Sequence, residues 1–411
     1  MAAPSNSMSG SGPEQKARFA SNTTSFQKKS RSNFISIPGT RPSVQNGQLI
    51  VSTGVTSLDY VIGGGLAVGT LLLIEEDKYD SYSRMLLKYF LAEGVVCGHS
   101  LYIASAREPP DEILQELPAP ILDDIASPRS EEAQGKLGDP DGQDSMKIAW
   151  RYQNLPKVQT ALASSSRFGH YYDVSKAMDA DMRQAAKCTS FYLPDEVTHS
   201  SAAESSQMNE GYRALLRSVQ GAIHSQGFDG STPQKSRNVL RIGLQSLGSA
   251  LWGDDICCSE SPGHAAGLTT FLYGLRALLR SSLSVAMVTV PAHLVQSRAI
   301  MERVTKLCDT AIALESFRGL DTEANPLYKD YHGLLQVKQI PHLNCLVCEV
   351  PDSKDLAFKL KRKQFTIERL HLPPDLSDTV SRLSKPDLAE SAKLLSSGCG
   401  SSTPGKKHLD F

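Results

Sequence analysis

Residues 71–105 read LLLIEEDKYDSYSRMLLKYFLAEGVVCGHSLYIAS, and this stretch decides the fold. Leu71–Ile74 is a continuous apolar run, typical of a strand that is buried on both faces. Apolar side chains then recur at helical spacing and predict a helix over 82–93, which ends at Gly94. Leu101–Ser105 is the next apolar run. The stretch therefore predicts a strand, a helix and a second strand.

The same alternation continues along the chain. Further helices are predicted over 212–225, 268–280 and 297–306, and further strands over 239–247, 283–290 and 310–315. From 334 to 368 the apolar period shifts towards two, with a turn at 341–344, which favours antiparallel strands. Alternating strands and helices imply right-handed crossovers. The predicted fold is α/β, with a mainly parallel twisted sheet, helices on both faces and an antiparallel C-terminal extension.

Polar segments reduce the expected number of domains. A length of 411 residues predicts two or three domains. However, residues 1–36 predict a disordered basic tail and 396–411 a flexible C-terminal tail, because neither segment has enough apolar residues to form a core. Residues 37–395 then form a single domain, enlarged by an acidic loop at 123–145 and an insertion at 146–210.

Composition excludes several classes of protein. With 40% hydrophobic and 21% charged residues, the chain is neither fibrous nor wholly disordered. The 43 basic and 44 acidic residues leave a formal charge of −1, so any basic surface must be local. Eight cysteines are too few for a disulfide scaffold and predict free thiols in a reducing compartment. No apolar run approaches the roughly 18 residues of a membrane helix, so no membrane partner is expected.

Residues 52–108 resemble the ATPase core of the RecA, RadA and KaiC superfamily. The resemblance lies in the order of the motifs STGVTSLD, GGGLAVG, LLLI, KYFLAEG and LYIAS. A dinucleotide-binding interpretation of the glycines at 63–65 fails because that fingerprint follows its strand, whereas these glycines precede it. The resemblance implies a RecA-like fold.

In that superfamily the loop after LLLI binds phosphate through glycine amides, a lysine and a Ser or Thr. Here the loop 75–84 reads EEDKYDSYSR and contains no glycine. The lysine position falls at Ser83, and Lys78 comes too early to replace it. The strand over 239–247 should end in a magnesium-binding Asp but carries Gln245. The candidate residues of this degenerate phosphate site are Glu75, Lys78, Ser83 and Arg84 in the loop and Gln245 at the end of the later strand. The loss of the phosphate-binding lysine and the loss of the magnesium-binding Asp both argue against ATP hydrolysis by the chain alone.

The stretch from residue 37 to 411 resembles the family of fourth subunits of the eukaryotic Elongator complex. Peptides that carry the resemblance include GGGLAVGTLLLIEEDKY, LRIGLQSLGSALWGDDICC and DLAFKLKRKQFTIERLHLPPDLSDTVSR. It implies a heterohexameric ring formed with the fifth and sixth Elongator subunits, together with the catalytic and scaffold subunits as partners. It also implies tRNA binding in support of wobble uridine (U34) modification to carboxymethyluridine-type products.

The resemblance further implies an accessory, non-catalytic subunit in the cytoplasm, with the nucleus left open as a second compartment. No resident cofactor is expected, and ATP at the ring interfaces is left open. Two alternatives remain: an autonomous ATPase of the RecA or KaiC type, and a purely architectural assembly factor without RNA contact.

Two local patterns are candidate RNA-binding sites. The sequence RFGHYY mixes aromatic and basic residues and yields Arg167, His170 and Tyr172, because aromatic faces stack bases and Arg binds phosphate. The alternative is packing of this segment within the protein. On an extended strand, Lys359, Lys361 and Lys363 share one face and form a basic stripe. The alternative is an edge strand that uses lysines to prevent pairing.

No metal site is expected from the sequence. Cys345 and Cys348 form a CxxC with no second ligand pair, and they are interpreted as buried thiols.

Overall fold

The computed structural model describes residues 37–43, 46–121, 168–197, 208–231, 238–253, 256, 266–320, 323, 328–341, 355–361 and 363–370. Contacts group the chain into two units, Met1–Ser36 and Ile37–Phe411, and every described residue belongs to the second. Both predicted tails, the acidic loop, Arg167 and the CxxC lie outside the described residues. No helix in the described ranges is long and apolar enough to cross a membrane.

The described strands and helices follow the predicted alternation. The strands are β1 (Thr40–Pro42), β2 (Leu49–Val51), β3 (Leu66–Ala67), β4 (Leu71–Glu75), β5 (Ser100–Ser105), β6 (Pro118–Pro120), β7 (Tyr172–Ala177), β8 (Cys188–Tyr192), β9 (Leu240–Leu244), β10 (Ser284–Val290), β11 (Thr310–Ser316), β12 (Gly333–Gln339), β13 (Leu356–Lys361) and β14 (Gln364–Arg369). The helices are α1 (Thr56–Val61), α2 (Ser81–Val96), α3 (Pro110–Gln115), α4 (Ala180–Ala185), α5 (Leu193–Val197), α6 (Glu210–Ser225), α7 (Ala266–Arg280) and α8 (Arg298–Leu307).

A nine-stranded sheet in the order β14-β13-β12-β11-β4-β10-β9-β5-β8 forms the centre of the fold. The pairs from β11 through to β8 are parallel, and the pairs that join β11, β12, β13 and β14 are antiparallel. The predicted fold class is therefore confirmed, including the antiparallel C-terminal end. Smaller antiparallel sheets join β1, β2 and β3, and β6 and β7.

Strand β4 shows why both faces of the sheet are covered. Leu71 and Leu73 belong to one buried cluster, which includes side chains of α6, α7 and α8. Leu72 and Ile74 belong to a second cluster, which includes side chains of α2 and the antiparallel strands. Successive side chains of a strand point to opposite faces, so a continuous apolar run serves two cores.

Helix α2 extends beyond its predicted end. It runs to Val96, so the prediction that Gly94 ends it was wrong. A Cβ at Gly94 would lie 2.6 Å from Leu101 Cδ2 and 2.8 Å from Arg241 Cδ, so glycine is needed where α2 packs closely on the sheet. The helix ends before Gly98, whose φ of +70° lies in the left-handed region that favours glycine.

Part of the predicted insertion belongs to the central sheet. Strand β8 lies within 146–210 and pairs in parallel with β5, with Leu101 opposite Cys188 and Ser105 opposite Tyr192. Most of its side chains are half-buried or exposed at this edge of the sheet, and its sequence, CTSFY, is accordingly not a continuous apolar run. Apolar periodicity therefore did not reveal it.

Candidate phosphate loop and the buried network beneath it

The candidate site lies at the carboxyl edge of the parallel strands. Strand β4 ends at Glu75, β5 at Ser105 and β9 at Leu244, and the chain then continues into the loops that carry the candidate residues. In open α/β sheets this edge is where ligands bind.

The carboxylate of Asp77 occupies the N-terminus of α2. Its Oδ1 accepts hydrogen bonds from the backbone N–H groups of Tyr82 and Ser83, both at 3.0 Å. Its Oδ2 accepts from the backbone N–H of Ser81, also at 3.0 Å. The first N–H groups of a helix have no partner within the helix, and the helix dipole favours a negative charge at this position. Asp77 is only 1% exposed, so the phosphate position of this loop is filled by the chain itself.

Ser83, which stands at the predicted lysine position, is fully buried. Its hydroxyl lies 2.9 Å from Oδ1 of Asp77 and 2.9 Å from Oδ1 of Asp80. Burial raises the pKa of Asp80 above its usual range. Lys78 is exposed, and its Nζ lies 5.7 Å from the centre of the Tyr79 ring. The structure therefore does not bring the lysine of this loop to the phosphate position.

Two consecutive glutamates, Glu75 at the end of β4 and Glu76 directly after it, are bonded to other side chains of the protein. Glu75 forms an ion pair with Lys338. Oε1 of Glu76 accepts from Thr289 Oγ1 at 2.6 Å and from Ser246 Oγ at 2.8 Å. Burial, with the nearby Asp80 charge as a smaller cause, raises the pKa of Glu76 to about 7. Glu76 is thus a buried carboxyl that titrates near neutral pH.

Gln245, at the position where the sequence resemblance leads us to expect a magnesium-binding Asp, contacts a carboxylate. Its Oε1 accepts from Ser105 Oγ at 3.0 Å, and its Nε2 donates to Glu108 Oε1 at 3.0 Å. Arg84 pairs with Glu108 and also with Glu116, so its charge is engaged with these two carboxylates. The sequence interpretation missed Glu108, although it follows the carboxyl end of β5 by three residues, where site residues of parallel sheets commonly lie.

The described part of RFGHYY packs against the protein. Phe168 lies under Arg41, whose Cζ is 3.9 Å from the ring centre. His170 directs its backbone N–H and Nδ1 to the Glu93 carboxylate. Tyr172 is fully buried and donates to Glu93 Oε2 at 2.6 Å. Tyr172 therefore has no free ring face for a base, and its predicted RNA contact does not fit this structure.

The predicted basic stripe is divided between different environments. Lys359 is buried and forms an ion pair with Glu368, and Lys363 lies beyond the end of β13 and is 3.2 Å from Asp173. Lys361 is exposed at the last position of β13. Since β13 lies between β12 and β14, it is not the edge strand of the alternative interpretation. Of the three lysines, Lys361 is the one without a carboxylate partner among the described residues.

A buried ionic network lies beneath α2. Arg241, the second residue of β9, is fully buried. It donates from Nε to His99 Nδ1 at 2.9 Å and from Nη1 to the backbone oxygens of Ser52 and Phe90 at 2.8 and 3.1 Å. Burial, then the charge of Arg241, lowers the pKa of His99 to about 3. The sequence interpretation missed this arginine because it lies inside an otherwise apolar strand.

Glu93 is the negative centre of this network. Burial opposes its ionisation, but the hydrogen bond from His170 and the charge of Arg241 outweigh burial and lower its pKa to about 2. Glu93, Cys97 and His170 also place one ligand atom each within 4.8 Å of one another, as a metal site would. Burial raises the pKa of the Cys97 thiol to about 12, so it stays protonated. The three side chains also bond to one another, since Cys97 Sγ lies 3.3 Å and His170 Nδ1 3.1 Å from Oε1 of Glu93.

Comparison with known proteins identifies the family. The family model described as PAXNEB protein matches residues 33–411. Elongator complex protein 4 of Danio rerio is 69% identical over 391 residues, which cover 95% of this chain and 96% of the relative. The chain belongs to the Elongator complex protein 4 family.

Other members of the Elongator complex protein 4 family match over nearly their whole length. The Homo sapiens protein is 58% identical over 401 residues, with 95% of each chain covered. The Drosophila melanogaster protein is 31% identical over 460 residues, which cover 94% of this chain and 100% of the relative. Among solved structures, a KaiC-like protein from Pyrococcus horikoshii aligns with 78% of this chain and 98% of its own, at 11% identity and a TM-score of 0.38.

Proposed function

We propose that this chain is an accessory, non-catalytic subunit of an Elongator complex. In this proposal it joins the fifth and sixth subunits in a RecA-like heterohexameric ring, which associates with the catalytic and scaffold subunits in the cytoplasm. The ring binds tRNA and supports modification of the wobble uridine. The family name of the relatives supports membership of the complex.

One observation carries the accessory role. The phosphate position at the start of α2 is filled by the Asp77 carboxylate, and the residue at the lysine position, Ser83, is buried. A second change acts in the same direction, because Gln245 is bonded to Glu108 and supplies no carboxylate of its own to magnesium. A nucleoside triphosphate would meet the negative charge of Asp77 at the place where a P-loop offers free backbone N–H donors.

Reconstitution with the fifth and sixth subunits tests the proposal. Native mass measurement should give a mass equal to two copies of each of the three chains. The ring should retard tRNA in a gel, and the affinity should fall with rising salt because phosphate contacts release counterions. A ring of the correct mass that gives no salt-sensitive retardation would favour the architectural alternative.

ATP turnover tests the autonomous ATPase alternative. The isolated chain should show no magnesium-dependent ATP hydrolysis above a blank. Hydrolysis by the isolated chain that is lost when residues 75–84 are changed would refute the accessory role. Turnover that appears only in the assembled ring would place the activity at interfaces between subunits, where a neighbouring chain supplies the missing groups.

A further inference from the structure

The phosphate position of this fold is occupied by an internal carboxylate. Three consecutive backbone N–H groups, those of Ser81, Tyr82 and Ser83, converge on the two oxygens of Asp77 at 3.0 Å each. Phosphates bind helix N-termini through the same kind of backbone donors, aided by the helix dipole. The carboxylate therefore makes the contacts that an anionic ligand would make.

The loop is shaped to bring this carboxylate to the helix. The backbone N–H of Asp80 donates to the backbone oxygen of Asp77 at 2.8 Å, which closes a tight turn. Asp80 itself has a φ of +52°, in the left-handed region, and precedes the first residue of α2. The turn folds Asp77 back under the first turn of the helix. Because the carboxylate belongs to the same chain, a free anion would have to displace a partner that is present at high effective concentration.

Three cations around this loop already pair with carboxylates, and the loop lysine, Lys78, is exposed beside the Tyr79 ring. Arg107 lies 3.1 Å from Asp80, and Arg84 and Lys338 pair with Glu108 and Glu75. A second anion at the start of α2 would therefore meet Asp77 without a compensating positive charge at that position.

The same contacts position α2 against the C-terminal strands. Tyr82, whose backbone N–H donates to Asp77, places its ring centre 4.6 Å from that of Phe358 in β13 and 6.4 Å from that of Phe365 in β14. The first turn of α2 thus joins the parallel and antiparallel parts of the fold.

We propose that Asp77 is a built-in substitute for a nucleotide phosphate: it holds the β4–α2 loop and the first turn of α2 in their ordered arrangement without any nucleotide. This part of the subunit then needs no bound anion to be ordered. This inference concerns the loop of the single chain and does not depend on tRNA binding by a ring.

The full chain tests the inference through the variant Asp77→Ala and inorganic phosphate as the probe. Removal of the carboxylate should lower the melting temperature by about 3 °C or more and speed amide exchange at 81–83 about fivefold or more. Phosphate should then restore part of both losses, since the empty position accepts an anion again. The unchanged protein should show neither effect of phosphate beyond the general effect of salt.

Asp179→Ala is the matched control. Asp179 also precedes a helix, α4, but unlike Asp77 it is exposed, and its side chain makes no capping hydrogen bond. This variant measures the cost of losing one carboxylate and the general stabilisation by phosphate. If Asp77→Ala is no less stable than Asp179→Ala, or if phosphate stabilises the unchanged protein as much as Asp77→Ala, the inference is overturned.

A milder variant keeps the test decisive if Asp77→Ala does not fold. Asp77→Asn retains an oxygen acceptor and the side-chain shape but loses the charge and one acceptor. It should exchange the amides at 81–83 faster than the unchanged protein and respond to phosphate. Exchange equal to that of the unchanged protein, with no phosphate response, would show that the charge of Asp77 has no such role.

Discussion

The side-chain amide of Gln245 donates to the carboxylate of Glu108 across 3.0 Å, from the end of β9 to the loop after β5. Arg84 binds the other oxygen of Glu108. The half-buried Glu108 carboxylate is therefore bound by one positive group, Arg84, and by one neutral group, the Gln245 amide. An Asp or Glu in its place would bring two negative charges together in this pocket.

The variant Gln245→Glu tests this relationship, because it changes one NH₂ group to an oxygen and keeps the size of the side chain. The two facing carboxylates should lower the free energy of unfolding by about 1–3 kcal/mol at pH 8. The loss should shrink at lower pH, as one carboxyl of the pair takes up a proton. Urea unfolding at several pH values measures this, and an equal loss at every pH would contradict the charge explanation.

The variant Arg241→Met should destabilise the protein strongly. Arg241 is fully buried, and its charge stabilises ionised Glu93. Its removal leaves the buried Glu93 carboxylate with its hydrogen bonds from His170 and Tyr172 but without the arginine charge, and breaking a buried ion pair in this way costs about 3–5 kcal/mol. Urea unfolding of Arg241→Met should show this loss, and the double variant with Glu93→Gln should recover part of it. Additive losses in the double variant would show that the two groups are not coupled.

The raised pKa of Glu76 predicts how the stability of the protein depends on pH. Its folded pKa of about 7 lies above the ordinary glutamate value of 4.5, so the folded state binds the proton more tightly than the unfolded state. The stability that Glu76 contributes is present below about pH 4.5 and is lost as pH rises through 7. Glu76→Gln keeps the acceptor for Thr289 and Ser246 and cannot ionise, so it should gain about 1–3 kcal/mol over the unchanged protein between pH 5 and 8.

Glu93→Gln provides the opposite case for the same pH series. The folded pKa of Glu93 is lowered to about 2 from 4.5, so its contribution is present above pH 4.5 and is lost as pH falls towards 2. Unfolding curves of both variants across pH 3–8 distinguish the two groups. Parallel curves for Glu76→Gln and the unchanged protein would contradict the role of Glu76.

A substitution at Lys361 tests whether the basic stripe binds tRNA. It is exposed, whereas Lys359 and Lys363 already pair with Glu368 and Asp173. Lys361→Glu should weaken tRNA binding by the reconstituted ring and reduce the salt slope by about one. The control is Lys187→Glu, an exposed lysine that precedes β8 at the opposite end of the sheet. Unchanged affinity and slope for Lys361→Glu would remove this stripe as an RNA contact.

The sequence by itself determined the elements whose cause is local. The apolar run Leu71–Ile74 and the helical spacing after it were sufficient to predict β4 and α2, because a strand buried on both faces needs a continuous apolar run. The sequence also showed that the loop 75–84 lacks glycine and that Gln245 replaces an acid. The predicted alternation, the fold class and the family resemblance all rest on such local patterns.

Only the tertiary structure decided what the polar side chains do. In the sequence Asp77 is one of several acidic residues of the loop 75–84, and folding makes it the anion that caps α2. Tyr172 looked like a base-stacking residue, and folding buries it against Glu93 from a helix 79 positions earlier. The sequence did not show the partners of Arg241 and Glu108, because these partners come from distant strands and loops. Hydrogen bonds and charge pairs between distant segments depend on the fold that brings them together, and no local period encodes them.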